Sequence, residues 1–172
     1  MRILNFGSLN IDFVYDVDSF VRKGQTIASS ALHVFAGGKG LNQSLALARA
    51  GARVHHAGMI GTDGAFLRDM LAESGVDVAH VVVSDTVRTG NAIIQRDAEG
   101  DNCIILYGGT NRAITRAFVD ETLEGFGPDD WLLVQNEISE LPYIVSRAAH
   151  KGMHIVLNPS PADDSLRELN LD

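Results

Sequence analysis

A glycine-rich stretch is the part of this sequence that points most directly to ligand binding. Residues 36–44 read Ala-Gly-Gly-Lys-Gly-Leu-Asn-Gln-Ser, which places three glycines around Lys39. Glycine lets the backbone approach a ligand closely, and the start of a following helix offers free N–H groups. No serine or threonine follows the lysine, as it would in a Walker A loop, and a Gly-x-Gly-x-x-Gly dinucleotide pattern is absent. The stretch therefore predicts either a site for a polar ligand or a purely structural turn.

Polar side chains occupy two further places where a ligand could bind. Asn10 and Asp12 lie two residues apart on an alternating, extended segment, so they point to the same side. Carboxylates and amides in this arrangement can hold neighbouring hydroxyl groups. Glu137 follows an apolar run at the carboxyl end of a predicted parallel strand, where open α/β sheets bind ligands. A polar turn would explain the first pair equally well, and an acid at a helix N-terminus would explain Glu137.

The composition excludes several classes of partner. The 172 residues include 14 basic and 22 acidic side chains, a net charge of −8, without a run of basic residues. We therefore expect no nucleic-acid partner, no membrane partner, and a small-molecule substrate. No apolar stretch approaches the roughly 18 residues of a membrane span, and no signal peptide is recognisable, which predicts a cytoplasmic location. Cys103 lies in an apolar run, which predicts a buried, inert thiol, and the histidine spacing predicts no transition-metal site.

The elements that must position these groups alternate between strand and helix. Extended segments are predicted at residues 2–6, 11–17, 27–35, 92–95, 103–107, 131–134 and 155–157, and helical periodicity at 41–50, about 66–71 and about 139–151. Gly51 and Gly75 stand where left-handed helix ends are expected. The last third predicts a parallel βαβ unit and hence an α/β core. The segments 11–17, 27–36 and 92–107, the last containing a hairpin, predict a second, small sheet.

Five motifs in a fixed order identify a resemblance to a known family. They are Gly7-Ser8-Leu9-Asn10-Ile11-Asp12, Gly37-Gly38-Lys39-Gly40-Leu41-Asn42-Gln43, Gly61-Thr62-Asp63-Gly64, the region from Thr89-Gly90 to Asn111, and Leu157-Asn158-Pro159-Ser160-Pro161-Ala162. Together they resemble the PfkB family of carbohydrate kinases, and within it the ribokinases, over essentially all 172 residues. The resemblance implies an α/β fold with a ribokinase-like, Rossmann-type three-layer core, present in part, and a small β-sheet lid.

The resemblance also implies which residues bind substrate. The sugar-binding positions that it carries over are Asn10, Asp12, Gly38, Lys39, Gly40, Asn42 and Glu137. The lid strands would cover the sugar, exclude water during transfer, and form a homodimer interface.

The other half of such a kinase has no counterpart in the sequence. The catalytic aspartate of a Gly-Ala-Gly-Asp motif and the residues that organise the metal are expected beyond Asp172, so no catalytic residue and no metal ligand is assigned within the chain. We expect residues 1–172 to be the N-terminal part of a single ribokinase-like domain that stops before the next strand, lacks the ATP-binding half and is inactive by itself. The resemblance implies ATP and Mg²⁺ as cofactors and admits a monovalent cation.

The sequence thus predicts the sugar site and lid of an ATP-dependent kinase that converts D-ribose to ribose 5-phosphate. One alternative is a PfkB-type kinase of another sugar or of a nucleoside, because a single hydroxyl contact can redirect specificity. The other is a non-catalytic sugar-binding or dimerisation fragment.

Overall fold

Two β-sheets and four α-helices make up residues 1–169, the part of the chain that this computed structural model describes. The strands are β1 (Ile3–Phe6), β2 (Asn10–Asp16), β3 (Ala31–Gly37), β4 (Val54–Gly61), β5 (Asp77–Ser84), β6 (Gly90–Arg96), β7 (Asn102–Tyr107), β8 (Trp131–Gln135) and β9 (His154–Asn158); the helices are α1 (Lys39–Arg49), α2 (Ala65–Glu73), α3 (Arg116–Glu124) and α4 (Leu141–His150). The approach to a further strand, expected after Leu169, lies outside the described residues.

The first sheet is parallel and has helices on both faces. Its strand order is β5-β4-β1-β8-β9. One apolar cluster joins β1 and β8 to α3 and α4 through Leu4, Phe6, Val119, Leu123, Leu132 and Ile144. A second cluster joins β4 to α1 and α2 on the other face through Leu41, Val54, Ile60, Leu67 and Leu71. Because parallel strands need crossover helices and bury both faces, this arrangement has three layers, and the predicted α/β fold class is confirmed.

The helix boundaries follow the local backbone chemistry. Gly51 and Gly75 adopt φ angles of 85° and 82° directly after α1 and α2, as the sequence predicts for left-handed helix ends. Helix α1 begins at Lys39, earlier than the periodicity predicted, because the extended strand breaks at Gly38. Helix α4 begins two residues later than expected, because Glu140 has a left-handed conformation with φ 58°.

The second sheet forms the predicted lid. Its order is β3-β2-β6-β7, with antiparallel outer pairs and a parallel central pair. The β6–β7 hairpin turns at residues 97–101, where Asp97 Oδ1 accepts hydrogen bonds from the N–H groups of Glu99 and Asp101, both at 3.0 Å. The predicted strand at 27–35 was placed too early. Pairing starts only where Ser30 donates to the Asp16 carbonyl, and β3 therefore begins at Ala31.

The prediction that Cys103 is buried was wrong. The cysteine is exposed on β7, and every residue of that strand is exposed. An apolar run predicts a core strand only if another layer covers it, and β7 is the outer strand of the lid. Within residues 1–169, Ile104, Ile105 and Leu106 keep more than half of their surface accessible, at 53%, 63% and 53%.

The Gly61-Thr62-Asp63-Gly64 segment ties the parallel sheet to the lid. Asp63 Oδ1 accepts hydrogen bonds from the N–H and the hydroxyl of Thr89, at 3.0 and 2.7 Å. Thr89 directly precedes β6, while Asp63 follows β4. The carboxylate therefore fixes the residue that leads into a strand of the second sheet against the end of a strand of the parallel sheet.

Candidate functional site

Two loops pack against each other to build the floor of the site. The turn after β1 contains Gly7 and Ser8, and it meets Gly38, the residue before α1, and Gly40, in the first turn of that helix. Leu41 N–H donates to the Ser8 carbonyl at 3.0 Å, and Gly40 N–H donates to Ser8 Oγ at 3.2 Å. A Cβ atom on Gly40 would collide with the Ser8 nitrogen. The glycine-rich stretch therefore serves, first of all, to let these two backbones touch.

Gly38 is required for its conformation as well as its size. Its φ angle is 94°, which side chains disfavour, and a Cβ there would lie 2.8 Å from the Ser8 carbonyl oxygen. The reversal brings Lys39 to the first position of α1, with its N–H facing the carboxyl end of β8.

Glu137 is the anchor of this corner. Its Oε2 accepts hydrogen bonds from Ser8 Oγ and from the N–H of Lys39, the latter at 3.0 Å. Its Oε1 forms an ion pair with Lys39 Nζ at 2.8 Å. The glutamate side chain is 9% exposed, whereas that of Lys39 is 38% exposed. Glu137 thus connects β8, the β1–β2 turn and the start of α1, and it leaves the ammonium group facing the cleft.

Asp12 stands close to this pair without a hydrogen-bonding partner among residues 1–169. It lies on β2 beside Gly37 of β3, where a Cβ would collide with the Asp12 carboxylate. Burial raises the pKa of the Asp12 carboxyl, and the negative charge of Glu137 raises it further. Burial and a neighbouring negative charge both disfavour the ionised form of this carboxylate, so hydrogen-bond donors supplied by a ligand would stabilise it.

Asn111 is a residue of the site that the sequence reasoning missed. It is 2% exposed, its Oδ1 accepts from the Leu9 N–H at 3.0 Å, and its Nδ2 donates to Asn10 Oδ1 at 2.7 Å. The amide of Asn10 is thereby oriented, with its own Nδ2 directed away from Asn111. The hairpin motif reached as far as Asn111, but no spacing signal indicated a contact with a residue 101 positions away.

A cavity of about 230 Å³ opens beside these groups. It is lined by Asn10, Leu106, Gly108, Asn111, Arg112, Asn136, Glu137 and Pro161. Leu106 comes from the lid, and Asn136 and Glu137 follow β8, so the cavity lies between the two sheets.

The structure brings most of the predicted site residues together. Asn10 and Glu137 line the cavity, and Lys39 forms an ion pair with Glu137. Asp12 is close enough to Glu137 for that negative charge to add to the effect of burial in raising its pKa. Asn42 differs, because it is exposed on the first turn of α1 and makes no side-chain hydrogen bond to any residue up to 169.

Behind the glycine turn lies a buried polar network. Asn5 Nδ2 donates to the Gly40 carbonyl at 2.7 Å and to Ser44 Oγ at 2.8 Å, and Ser44 is also 2.8 Å from His56 Nδ1. Burial lowers the pKa of His56 to about 4, with the nearby Gly7 carbonyl acting in the opposite direction. His56 is therefore neutral at pH 7. Its Nε2 atom has no hydrogen-bonding partner within the described part of the chain.

Residues 1–169 contain no candidate metal-binding cluster and no candidate membrane-spanning helix. No group of three or more His, Cys, Asp or Glu side chains is gathered as a metal site would require. No helix in this range is long and apolar enough to cross a membrane.

The sequence of this chain is similar to those of known carbohydrate kinases. Residues 2–168 match the profile of the family described as pfkB family carbohydrate kinase. Ribokinase of Haemophilus influenzae is 34% identical over 160 residues, which represent 91% of this chain and 52% of that protein. The chain spans about half the length of the curated relatives it matches.

Solved structures show the same likeness in three dimensions. Ribokinase from Cryptococcus neoformans var. grubii serotype A in complex with ADP matches with a TM-score of 0.81 and 36% identity, over 98% of this chain and 54% of that one. Arabidopsis thaliana ribokinase complexed with ribose and ATP matches with a TM-score of 0.79 and 25% identity, over 92% of this chain and 53% of that one.

Proposed function

This chain belongs to the pfkB family of carbohydrate kinases, and we propose that it supplies the sugar-binding part of an enzyme that phosphorylates D-ribose. The reaction transfers the terminal phosphoryl group of ATP to the 5-hydroxyl and yields ADP and ribose 5-phosphate. The observation that carries this proposal is the partly buried carboxylate of Asp12, which has no hydrogen-bonding partner among residues 1–169 and lies in the electrostatic field of Glu137, the ion-pair partner of Lys39. Ribose is favoured because the relatives above are ribokinases, one of them solved with ribose and ATP.

Each polar group has a distinct part in holding the sugar. The Asp12 carboxylate accepts hydrogen bonds from two neighbouring hydroxyls. Asn10 donates from Nδ2, because its Oδ1 is already engaged by Asn111. Lys39 Nζ has three donors, and the one that Glu137 accepts leaves the others for sugar oxygens.

The glycine turn determines how close the sugar approaches. Gly38 and Gly40 keep the loop free of side chains where the sugar lies against the backbone. The side chain of Asn42 is exposed in the structure. We propose that its amide forms a hydrogen bond with the sugar when the sugar binds.

The lid completes the site. When β2, β3, β6 and β7 close over the sugar, water is excluded from the transferred phosphoryl group and hydrolysis of ATP is suppressed. The exposed apolar residues of the lid, including Leu32, Val34 and Ile105, are proposed to pair with a second copy of the chain.

ATP is the second substrate. We assign the protein groups that bind ATP, and the general base, to a part of the full-length enzyme outside residues 1–172. The described residues do not fit a Mg²⁺ site, because no acidic cluster of the required size is gathered. Mg²⁺ and a monovalent cation therefore stay predictions from the family resemblance, and the chemistry proposed for these residues uses no metal.

A substrate panel tests the proposal. ADP release by the full-length protein is measured with pentoses, hexoses and nucleosides, and the phosphorylated product is identified by mass spectrometry. We expect D-ribose to give the highest kcat/KM, and Asp12→Asn to abolish that preference. Asp18→Asn, in the exposed segment after β2, is the matched control and should behave as wild type. Preference for another sugar or a nucleoside identifies a different pfkB-type kinase, and sugar binding without turnover identifies a non-catalytic module.

A further inference from the structure

Arg112 lines the same cavity as Asn10 and Glu137 but has no part in holding the sugar as described above. It is the last residue of the 3-10 turn Gly109–Arg112, which follows the lid strand β7. Arg112 is an exposed residue between lid and core, in a cavity whose lining also includes Asn136, the residue after β8.

The backbone that carries Arg112 is held firmly from several directions. Thr110 N–H donates to the Arg88 carbonyl at 3.0 Å, and Thr110 Oγ1 donates to the Met59 carbonyl at 2.8 Å. The carbonyl of Asn111 accepts from the Ser139 N–H at 2.9 Å. Since Asn111 also binds Asn10, the position of Arg112 is fixed relative to the proposed sugar contact.

A neighbouring glycine makes room for the arginine side chain. Gly108 has φ −66° and ψ −33°, a conformation that any residue adopts, so its backbone does not require glycine. A Cβ at this position would lie 2.6 Å from Arg112 Cγ. The absence of a side chain at Gly108 therefore lets the Arg112 stem cross it along the cavity wall.

Arg112 differs from the other nearby cationic side chains because it forms no ion pair among residues 1–169. Lys39, Arg88 and Arg116 form ion pairs with Glu137, Asp63 and Glu140, whereas Arg112 forms none within 4 Å in the described range. Hydrogen bonds from Ser165 and Asn136 are the main causes that lower the pKa of Asp163, and the charge of Arg112 is the smallest of the causes.

The cavity therefore combines two kinds of recognition chemistry. The carboxylate and amide groups of its lining suit hydroxyls, and the guanidinium of Arg112, which forms no ion pair among residues 1–169, suits an anion with several oxygens. Arginine presents a planar fork of N–H donors that matches phosphate oxygens in pairs. A neutral sugar alone would leave this group without a partner.

We propose that Arg112 is a catalytic residue that binds the phosphoryl group on the sugar 5-oxygen during transfer and in the product. This inference rests on the proposed kinase function. In the transfer, the 5-oxygen forms a bond to the γ-phosphorus of ATP, the bond from that phosphorus to its bridging oxygen breaks, and ADP leaves. The hydroxyl proton goes to the general base of the full-length enzyme. Arg112 donates to the equatorial oxygens of the moving group and takes no proton.

The test compares three variants of the full-length protein. Arg112→Gln removes the charge, Arg112→Lys keeps the charge without the planar fork, and Arg116→Gln is the matched control on a neighbouring exposed arginine. Affinities for ribose and for ribose 5-phosphate are measured by calorimetry, and kcat and KM for ribose by ADP release.

For Arg112→Gln we expect kcat to fall about 100-fold, and affinity for ribose 5-phosphate to fall at least about tenfold. Affinity for ribose should stay within about twofold of wild type, because only the anion contact is lost. Arg112→Lys should recover part of both losses, and Arg116→Gln should match wild type.

Three outcomes would contradict this inference, and they are distinguishable. Unchanged kcat and product affinity in Arg112→Gln overturn the phosphoryl contact while leaving the kinase proposal intact. Equal losses for ribose and ribose 5-phosphate indicate a structural role and also overturn it. A wild-type protein that binds neither compound overturns the proposed function, and with it the inference.

Discussion

Glu137 accepts hydrogen bonds from both the side chain and the backbone of Lys39: Oε1 is 2.8 Å from Nζ, and Oε2 is 3.0 Å from the amide nitrogen. The carboxylate thereby binds both the backbone amide and the side-chain ammonium group of Lys39, the first residue of α1, and it orients the lysine side chain. Burial raises the pKa of Asp12, and the same negative charge of Glu137 raises it further. One buried glutamate thus controls the two side chains that we propose to face the sugar.

Asp12→Asn should remove sugar affinity without weakening the fold. Losing the charged acceptor should reduce binding by about 2 to 4 kcal/mol. Because burial and Glu137 both disfavour the charged form of Asp12, its neutralisation should not lower the free energy of unfolding. Calorimetry with ribose and chemical denaturation of the same samples check both parts. Unchanged ribose affinity would remove Asp12 from the site.

Sugar affinity should depend on pH through Asp12. Its pKa is raised, so the carboxylate becomes protonated at a higher pH than an ordinary aspartate, and affinity falls as the pH decreases through that value. Glu137→Gln removes the second cause of the shift and should move the midpoint to lower pH. The titration is followed by the carboxyl ¹³C resonance of Asp12. A midpoint that moves upward in Glu137→Gln would contradict the assigned electrostatic coupling.

Lys39→Arg should raise KM for the sugar about tenfold, which corresponds to one misplaced charged hydrogen bond. The planar guanidinium is larger than the ammonium and has to enter a turn formed by Gly38 and Gly40. Thermal stability should change little, because arginine retains an ion pair with Glu137. Wild-type KM and kcat in this variant would show that the geometry at position 39 is not restrictive.

Gly37→Ala should mimic the loss of Asp12. The added methyl group would collide with the Asp12 carboxylate and force it out of its position. We expect a loss of ribose affinity of at least about tenfold, since a displaced charged acceptor loses its hydrogen bonds. Gly125→Ala is the control, because nothing lies within 4 Å of a Cβ there. Equal ribose affinity in both variants would argue against the close packing of Gly37 on Asp12.

His56 should make the fold sensitive to acid. Burial lowers its pKa to about 4 in the folded protein, whereas the unfolded chain takes up this proton near pH 6.5. The contribution to stability is thus complete above the unfolded pKa and decreases as the pH falls from there toward 4. Between pH 7 and pH 5 the free energy of unfolding should decrease by about 2 kcal/mol through the protonation of His56 in the unfolded chain.

Denaturation curves of wild type and His56→Phe at both pH values measure this difference. The absolute stabilities can differ, but the loss between pH 7 and pH 5 should be smaller in the variant by about 2 kcal/mol. Identical pH dependence in the two proteins would mean that folding does not shift the pKa of His56.

The lid should form a homodimer in the full-length protein. Ile105 is 63% exposed on β7, and a charge there should dissociate the dimer. Light scattering should give the mass of two chains for wild type and of one for Ile105→Glu. Phe66→Glu, which alters an exposed apolar residue on α2, should stay dimeric. A monomeric wild-type protein would contradict lid pairing.

The sequence by itself determined the local features of this protein. Periods of two and of about 3.6 residues identified β1, β8 and β9 and the helices α1, α2 and α4 of the α/β core, but they missed β4, β5 and α3. Gly51 and Gly75 marked helix ends through the conformations open to glycine. The motifs around Asn10 and Lys39, and the position of Glu137 after a predicted strand, indicated residues that we propose to bind the sugar. These features were readable because each depends on neighbours in the chain or on a recurring short pattern.

Only the tertiary structure decided which of these groups meet and what covers them. The contact of Asn111 with Asn10 spans 101 positions, and that of Lys39 with Glu137 spans 98. Cys103 lies in an apolar run and is nevertheless exposed, because burial depends on whether another layer packs on that strand. Hydrogen bonds, charge coupling and burial are set by distance in space, and strand order and helix crossovers fix that distance only once the chain has folded.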